Sequence, residues 1–240
     1  MRGELDLKIL IYPLTLKSRQ TTQVKVTNFC IKFDFLGLKT LSVIQHACML
    51  IKQRHGIDID PDKLDFNDKK TYALFSSGDT DGVFQVESDG MKQMLRSLKP
   101  RDFAAITAAI ALYRPGPMAY IPSYVANYNG VKEPEYVVPE LEPILKETYG
   151  IIVYQEQVMR IAQDLAGYSP GKADALRKAM GKKIESIMNK EIQKLIYGSK
   201  EDNIPGLIAK DMKEEVAIKL GEDIKEFAKY AFERHCSEVY

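Results

Sequence analysis

The sequence predicts an α+β fold that is mostly α, with short strands near the N-terminus followed by a helical domain. Three observations carry this. Val24 and Val26 alternate with polar neighbours, and a mostly apolar run follows at 30–36. Leu41, Ile44, Ala47, Cys48 and Ile51 recur at helical spacing, as do Val158, Ile161, Ala162 and Leu165. Helix punctuation is dense after residue 39, as in Gly56, Gly167 and the pair Ser169-Pro170.

Taken in order, strands are predicted at 8–16, 21–26 and 30–36, the last ended by Gly37. A helix is predicted over 39–55, with His46 placed in or near the core. The stretch 56–68 is rich in turn residues and holds Asp58, Asp60, Asp62, Asp65 and Asp68. Asn67 or Asp68 caps a helix through 72–75, residues 76–82 form a loop, and 83–86 is a strand candidate. Helices are predicted over 90–98, with Met91, Met94, Leu95 and Leu98 on one side, and over the Ala- and Ile-rich 103–112. The Arg114-Pro115-Gly116-Pro117 break is a rigid turn, because proline fixes φ and glycine permits a positive one. A short helix over 120–128, a proline-marked connection at 134–143 and an extended segment at 148–153 come next. Helices are then expected over 155–165, 170–180, 183–197, 210–220 and 222–232. Ser169 serves as N-cap of the second of these and Pro170 as its first residue.

Composition excludes several classes. The chain has 240 residues with 34 Lys+Arg against 33 Asp+Glu, a formal net charge of +1. No run approaches the ~18 apolar residues of a membrane span, and the N-terminus lacks a signal-peptide pattern. Cys30, Cys48 and Cys236 form no CxxC pair, which disfavours a disulfide framework or a zinc site and places the chain in the cytoplasm. The near-neutral total hides local asymmetry. Residues 172–194 hold 7 basic and 3 acidic groups, whereas 201–240 hold 6 and 10. A basic helix of this kind is either a solvated face or an attractor of phosphate.

Several side chains are candidates for chemistry. Asp58, Asp60 and Asp62 imitate a calcium loop, but counting from Asp58 the sixth and twelfth positions are Lys63 and Lys69 rather than Gly and Glu. A solvated turn is the expectation there, and also for Asp79 and Asp81. Asp34 differs: on a strand it shares a face with Lys32 and Leu36, while Phe33 and Phe35 share the other. It is either a metal or ion-pair carboxylate or an edge residue facing water. On the helix after Ser169, Lys178 and Lys182 are four apart and lie on one face. The same spacing lets Asp174 pair with Lys178 in an ordinary exposed helix. Arg114, held in its turn, is a further candidate. Glu156 is an acid of the kind expected in a first helical turn. His46, His55 and His235 show no metal-ligand spacing.

Five segments together carry a resemblance: 32–41 (KFDFLGLKTL), 82–91 (GVFQVESDGM), 111–117 (ALYRPGP), 149–159 (YGIIVYQEQVM) and 167–183, with GYS, AD and LRKAMGKK. In order and spacing, from about 21 to about 190, they resemble the alpha subunits of bacterial DNA polymerase III, the C-family replicative polymerases. The resemblance implies a palm edge over 1–40, with 1–20 unplaced, and a fingers domain over 41–240 that receives the incoming nucleotide. It implies templated DNA synthesis on a primer-template from deoxynucleoside triphosphates. Three aspartates would hold two magnesium ions for in-line transfer. Asp34 matches one of the three. Lys32, Arg114, Arg177, Lys178 and Lys182 match nucleotide-binding positions. The family usually has arginine at both central positions, and Lys178 keeps the charge without the bidentate fork.

The sequence also departs from the family pattern. Before Asp34 stand only Glu4 and Asp6, so the family's alternating aspartate pair and its thumb have no counterpart. Its phosphoesterase-like, clamp-binding and C-terminal nucleic-acid-binding regions, where other holoenzyme subunits usually dock, have none either. Segment 227–232 (FAKYAF) resembles a family segment, but Glu233-Arg234-His235-Cys236 comes next instead of Asn-Lys-Ser-His. The expectation is a polymerase fragment inactive by itself. The alternatives are a non-catalytic nucleotide- or DNA-binding module and an inert remnant of a split gene.

Overall fold

The computed structural model describes residues 21–26, 29–34, 39–182 and 184–229, the first two segments as backbone. The fold is mostly helical. The chain divides into two compact units, and the break falls between Leu64 and Asp65.

In the first unit, β1 (Thr21–Val26) and β2 (Phe29–Asp34) pair antiparallel, from Thr21 opposite Asp34 to Val26 opposite Phe29. The strand expected at 8–16 lies outside the described residues, as do 35 and 36 of the expected 30–36 strand. Helix α1 (Lys39–His55) matches its expected bounds. Lys52, Arg54 and His55 fill its last turn, where cations suit the dipole. Gly56 takes the left-handed position beyond it, donating to the Lys52 carbonyl at 3.0 Å. No α1 side chain is buried, and Leu41, Val43, Ile44, Met49 and Leu50 are exposed. This corrects the expectation for His46, which is exposed because its helix buries no face.

The second unit holds two hydrophobic cores. The first gathers α2 (Lys69–Ser77), α3 (Asp89–Leu98), α4 (Phe103–Leu112) and α5 (Ile121–Tyr128) around Leu95, Leu98, Leu112 and Tyr124. Asp68 caps α2 by accepting from the Lys70 and Thr71 amides at 3.2 and 3.1 Å. Asp102 does the same for α4 through the Ala105 amide at 2.8 Å. The strand candidate at 83–86 is instead a series of turns. The Val83 amide bonds to the Thr80 carbonyl, the Val86 amide bonds to the Val83 carbonyl, and Gln85 has a φ of 69°. Local turn bonds consume the donors that a ladder needs. Gly116, at φ 97°, makes the tight turn expected between its prolines.

The second core gathers α6 (Glu142–Leu145), α7 (Gln155–Asp164), α8 (Pro170–Lys182), α9 (Glu185–Tyr197) and α10 (Glu214–Ala228). Leu176, Leu195, Leu220 and Ile224 sit at its centre. The two helices expected over 210–220 and 222–232 are the single helix α10 within the described residues. Gly221 does not break it. Its missing side chain admits α9 instead, since a Cβ there would meet Ile196 Cδ1 at 2.8 Å.

Candidate functional site

Helix α8 is the centre of the candidate site. It opens with Pro170, and the Ser169 carbonyl accepts from the Lys172 and Ala173 amides, both at 3.0 Å. Ala173, Leu176 and Met180 are buried in the second core, and Ala179 is buried beside them on the same helix. That burial fixes the helix rotation and leaves Asp174, Arg177, Lys178 and Lys182 at the surface. Arg177 brings Nε and Nη2 to Asp174 Oδ1, each at 2.9 Å, and Lys178 Nζ lies 2.8 Å from Asp174 Oδ2. One carboxylate thus serves two cations, one oxygen to each. The Lys178 and Arg177 hydrogen bonds hold the Asp174 carboxyl below the usual carboxylate range. Lys182, exposed, stands one turn beyond Lys178.

A polar brace backs this helix. Lys194 on α9 contacts Glu191 at 3.1 Å and Asp202 at 2.9 Å. Asp202 also meets the Ser199 hydroxyl at 3.2 Å and, at 4.0 Å, Lys172 in the first turn of α8. The Lys194 bond lowers the Asp202 pKa, and the Asp202 and Glu191 bonds raise that of Lys194. The turn carrying Asp202 is tied down twice more, through the Gly206 amide to the Ala166 carbonyl at 3.1 Å and the Leu207 amide to the Leu195 carbonyl at 2.8 Å.

The YQEQ segment caps and opens α7, and its central role is structural. Buried Gln157 accepts from the Val153 and Tyr154 amides at 2.8 and 3.0 Å and donates to Thr148 Oγ1 at 2.8 Å. Thr148 in turn donates to the Ile151 carbonyl at 2.6 Å. The reading of Glu156 as an ordinary first-turn acid gave no hint of this network.

Arg114 stands elsewhere, with the first core. It borders an open cavity of about 690 Å³ whose lining includes Phe84, Gln85, Ser88 and Tyr113. Segments 82–91 and 111–117 therefore converge, although they are some twenty residues apart. Gly90 makes that convergence possible, because a Cβ there would lie 1.8 Å from the Tyr113 hydroxyl. The candidate residues accordingly fall into three groups: Arg114 at this cavity, Arg177, Lys178 and Lys182 on α8, and Lys32 and Asp34 on β2. The last two are placed by backbone register alone, Lys32 opposite Gln23 and Asp34 opposite Thr21.

The acidic turn is solvated. Asp60 accepts from the Asp62 amide at 3.1 Å and pairs with Lys63 at 2.8 Å, and Asp58 pairs with Lys52 at 2.6 Å. Among the described residues no three His, Cys, Asp or Glu side chains gather as a metal site. Among the described residues, then, no donor set fits a two-metal centre.

A mostly helical domain with a cation-bearing helix set against its core matches one family. The chain belongs to the bacterial DNA polymerase III alpha subunit finger domain family, whose model matches residues 40–203. It is 49% identical over 212 residues to DNA polymerase III subunit alpha of Aquifex aeolicus, covering 88% of this chain and 18% of the relative. Against the same subunit of Caulobacter vibrioides it is 49% identical over 210 residues, again 88% and 18%. Against that of Staphylococcus aureus it is 44% identical over 204 residues, 85% and 18%. The chain thus spans about a fifth of the length of these relatives and corresponds to a fragment of such a polymerase centred on the fingers.

Proposed function

We propose that this chain serves templated DNA synthesis in replication, as the fingers of a polymerase III alpha subunit together with the edge of its palm. On this reading 1–40 belongs to the palm, β1 and β2 being its edge strands, and 41–240 to the fingers. Arg177, Lys178 and Lys182 receive the triphosphate of an incoming deoxynucleotide. Arg114 and Lys32 are further nucleotide contacts, and Asp34 is one of the carboxylates for magnesium. The remaining carboxylates, the primer-template grip and the docking sites for other holoenzyme subunits lie in segments beyond these residues. The compartment is the cytoplasm.

The observation that carries this reading is the row of cations on α8. Adjacent helical residues point roughly 100° apart, yet the Arg177 and Lys178 heads meet at one anion, and Lys182 extends the row. Charge-assisted bonds of this type suit phosphate oxygens. Titration of the 240-residue chain with dATP tests it. Binding should weaken steeply with added salt, and Arg177→Ala should weaken it about tenfold, the loss expected for one charge-assisted contact. Binding that ignores both salt and Arg177→Ala would remove the triphosphate role from α8. A second reading, a nucleotide-binding module without catalysis, draws on the same cations and on the single motif aspartate in the sequence.

A further inference from the structure

We propose that Asp174 is an internal substitute for the nucleotide's phosphate: it occupies Arg177 and Lys178 in the nucleotide-free chain and must leave when a triphosphate enters. The inference rests on the reading of α8 as the triphosphate site.

The geometry supports it in three steps. Neighbouring side chains on a helix do not face each other, so Arg177 and Lys178 need a shared anion to converge. Asp174, one turn earlier, supplies that anion and divides its two oxygens between them, at 2.9 and 2.8 Å. Phosphate oxygens offer the same acceptors, and a triphosphate offers more of them, so the ligand can take over both contacts without moving the helix. Lys178 is two-thirds exposed and Arg177 and Asp174 about one-third, so the exchange occurs at the surface. There a pair is weak enough to give way. Once displaced, the Asp174 carboxylate stands beside the incoming anion and repels it. It therefore holds the cations together when the site is empty and lowers affinity when the site is filled. A triphosphate brings more charge and more acceptor oxygens to the two cations than a single phosphate does, so the exchange favours polyphosphates.

The test is titration of the full 240-residue chain with dATP and, separately, with inorganic tripolyphosphate. Asp174→Asn should bind both about three- to tenfold more tightly than the unmodified chain. The gain should shrink toward zero in molar salt, where exposed charges are screened. Asp174→Glu, which keeps the charge, should stay within about twofold of the unmodified chain. Far-ultraviolet circular dichroism should show unchanged helicity in both variants. If Asp174→Asn binds equally or more weakly while Arg177→Ala still weakens binding about tenfold, the displacement idea falls and the α8 site stands. If neither substitution matters, or if neither the unmodified chain nor Asp174→Asn binds either ligand, the α8 site falls and the displacement with it.

Discussion

Gln157 shows how a single side chain sets the shape of a motif without touching a ligand. Its Oε1 satisfies two backbone amides ahead of α7, and its amide nitrogen reaches Thr148. At 3% exposure, water cannot replace those bonds. Gln157→Ala should therefore leave two buried donors unpaired and destabilise the fold by about 2–4 kcal/mol, read as a lower urea midpoint with an unchanged slope. Gln157→Glu keeps the acceptor but places a charge against Thr148 Oγ1, so its stability should lie between those of the unmodified chain and Gln157→Ala. A change below about 0.5 kcal/mol for Gln157→Ala would mean that the chain satisfies those amides another way. Sequence reading could not find this role. A glutamine at the third helical position signals a capping partner only when Ser or Thr precedes it, and here Tyr154 does.

At the scale of elements, most helices were legible because their ends are marked chemically. Asp68, Gly56 and Pro170 mark bounds of α2, α1 and α8, while α4 is legible from its Ala and Ile content alone. The misreadings have physical causes. Val83 and Val86 favour strand locally, but the Thr80 and Val83 carbonyls capture the amides in turns. Gly221 looks like a breaker until its contact with Ile196 on α9 is known. The Asp174–Lys178 pair was legible from spacing, whereas the addition of Arg177 depends on rotamers that spacing does not fix. The brace between α8 and α9 was not legible either, because Lys172, Lys194 and Asp202 are separated in sequence.

That brace gives a pH prediction. Asp202 has a folded pKa below its ordinary value of 3.8. Its contribution to stability is therefore complete above that value and is lost as pH falls through the folded one. Lys194 is raised above 10.5, so its contribution is complete below that and fades only as pH rises through the higher folded value. The melting-temperature gap between the unmodified chain and Asp202→Asn should be constant from about pH 5 to 9 and should close at acid pH. A gap that persists at about pH 2 would show that the side chain acts by packing rather than by charge.

For the whole molecule, the distribution of candidate residues decides what the chain can do alone. The second unit holds two cores, and its basic helix is braced by Lys194 and Asp202. The hairpin places Asp34 opposite Thr21, the one position proposed for a metal carboxylate, while the only acids before it in the sequence are Glu4 and Asp6. Transfer by the in-line scheme needs two ions held in fixed geometry, and a lone carboxylate cannot fix both. On the proposed reading, binding and chemistry therefore separate in this chain: the cations of α8 would hold a triphosphate, whereas its reaction would require carboxylates from elsewhere. The isolated 240 residues, given magnesium, a primed template and all four deoxynucleotides, should extend the primer no faster than a protein-free control, even at nucleotide concentrations that saturate α8. Addition of a separately produced segment that carries an alternating aspartate pair should restore extension, and Asp34→Asn should abolish the restored activity. Clear templated extension by the isolated chain would overturn this division and place a complete active centre within these residues.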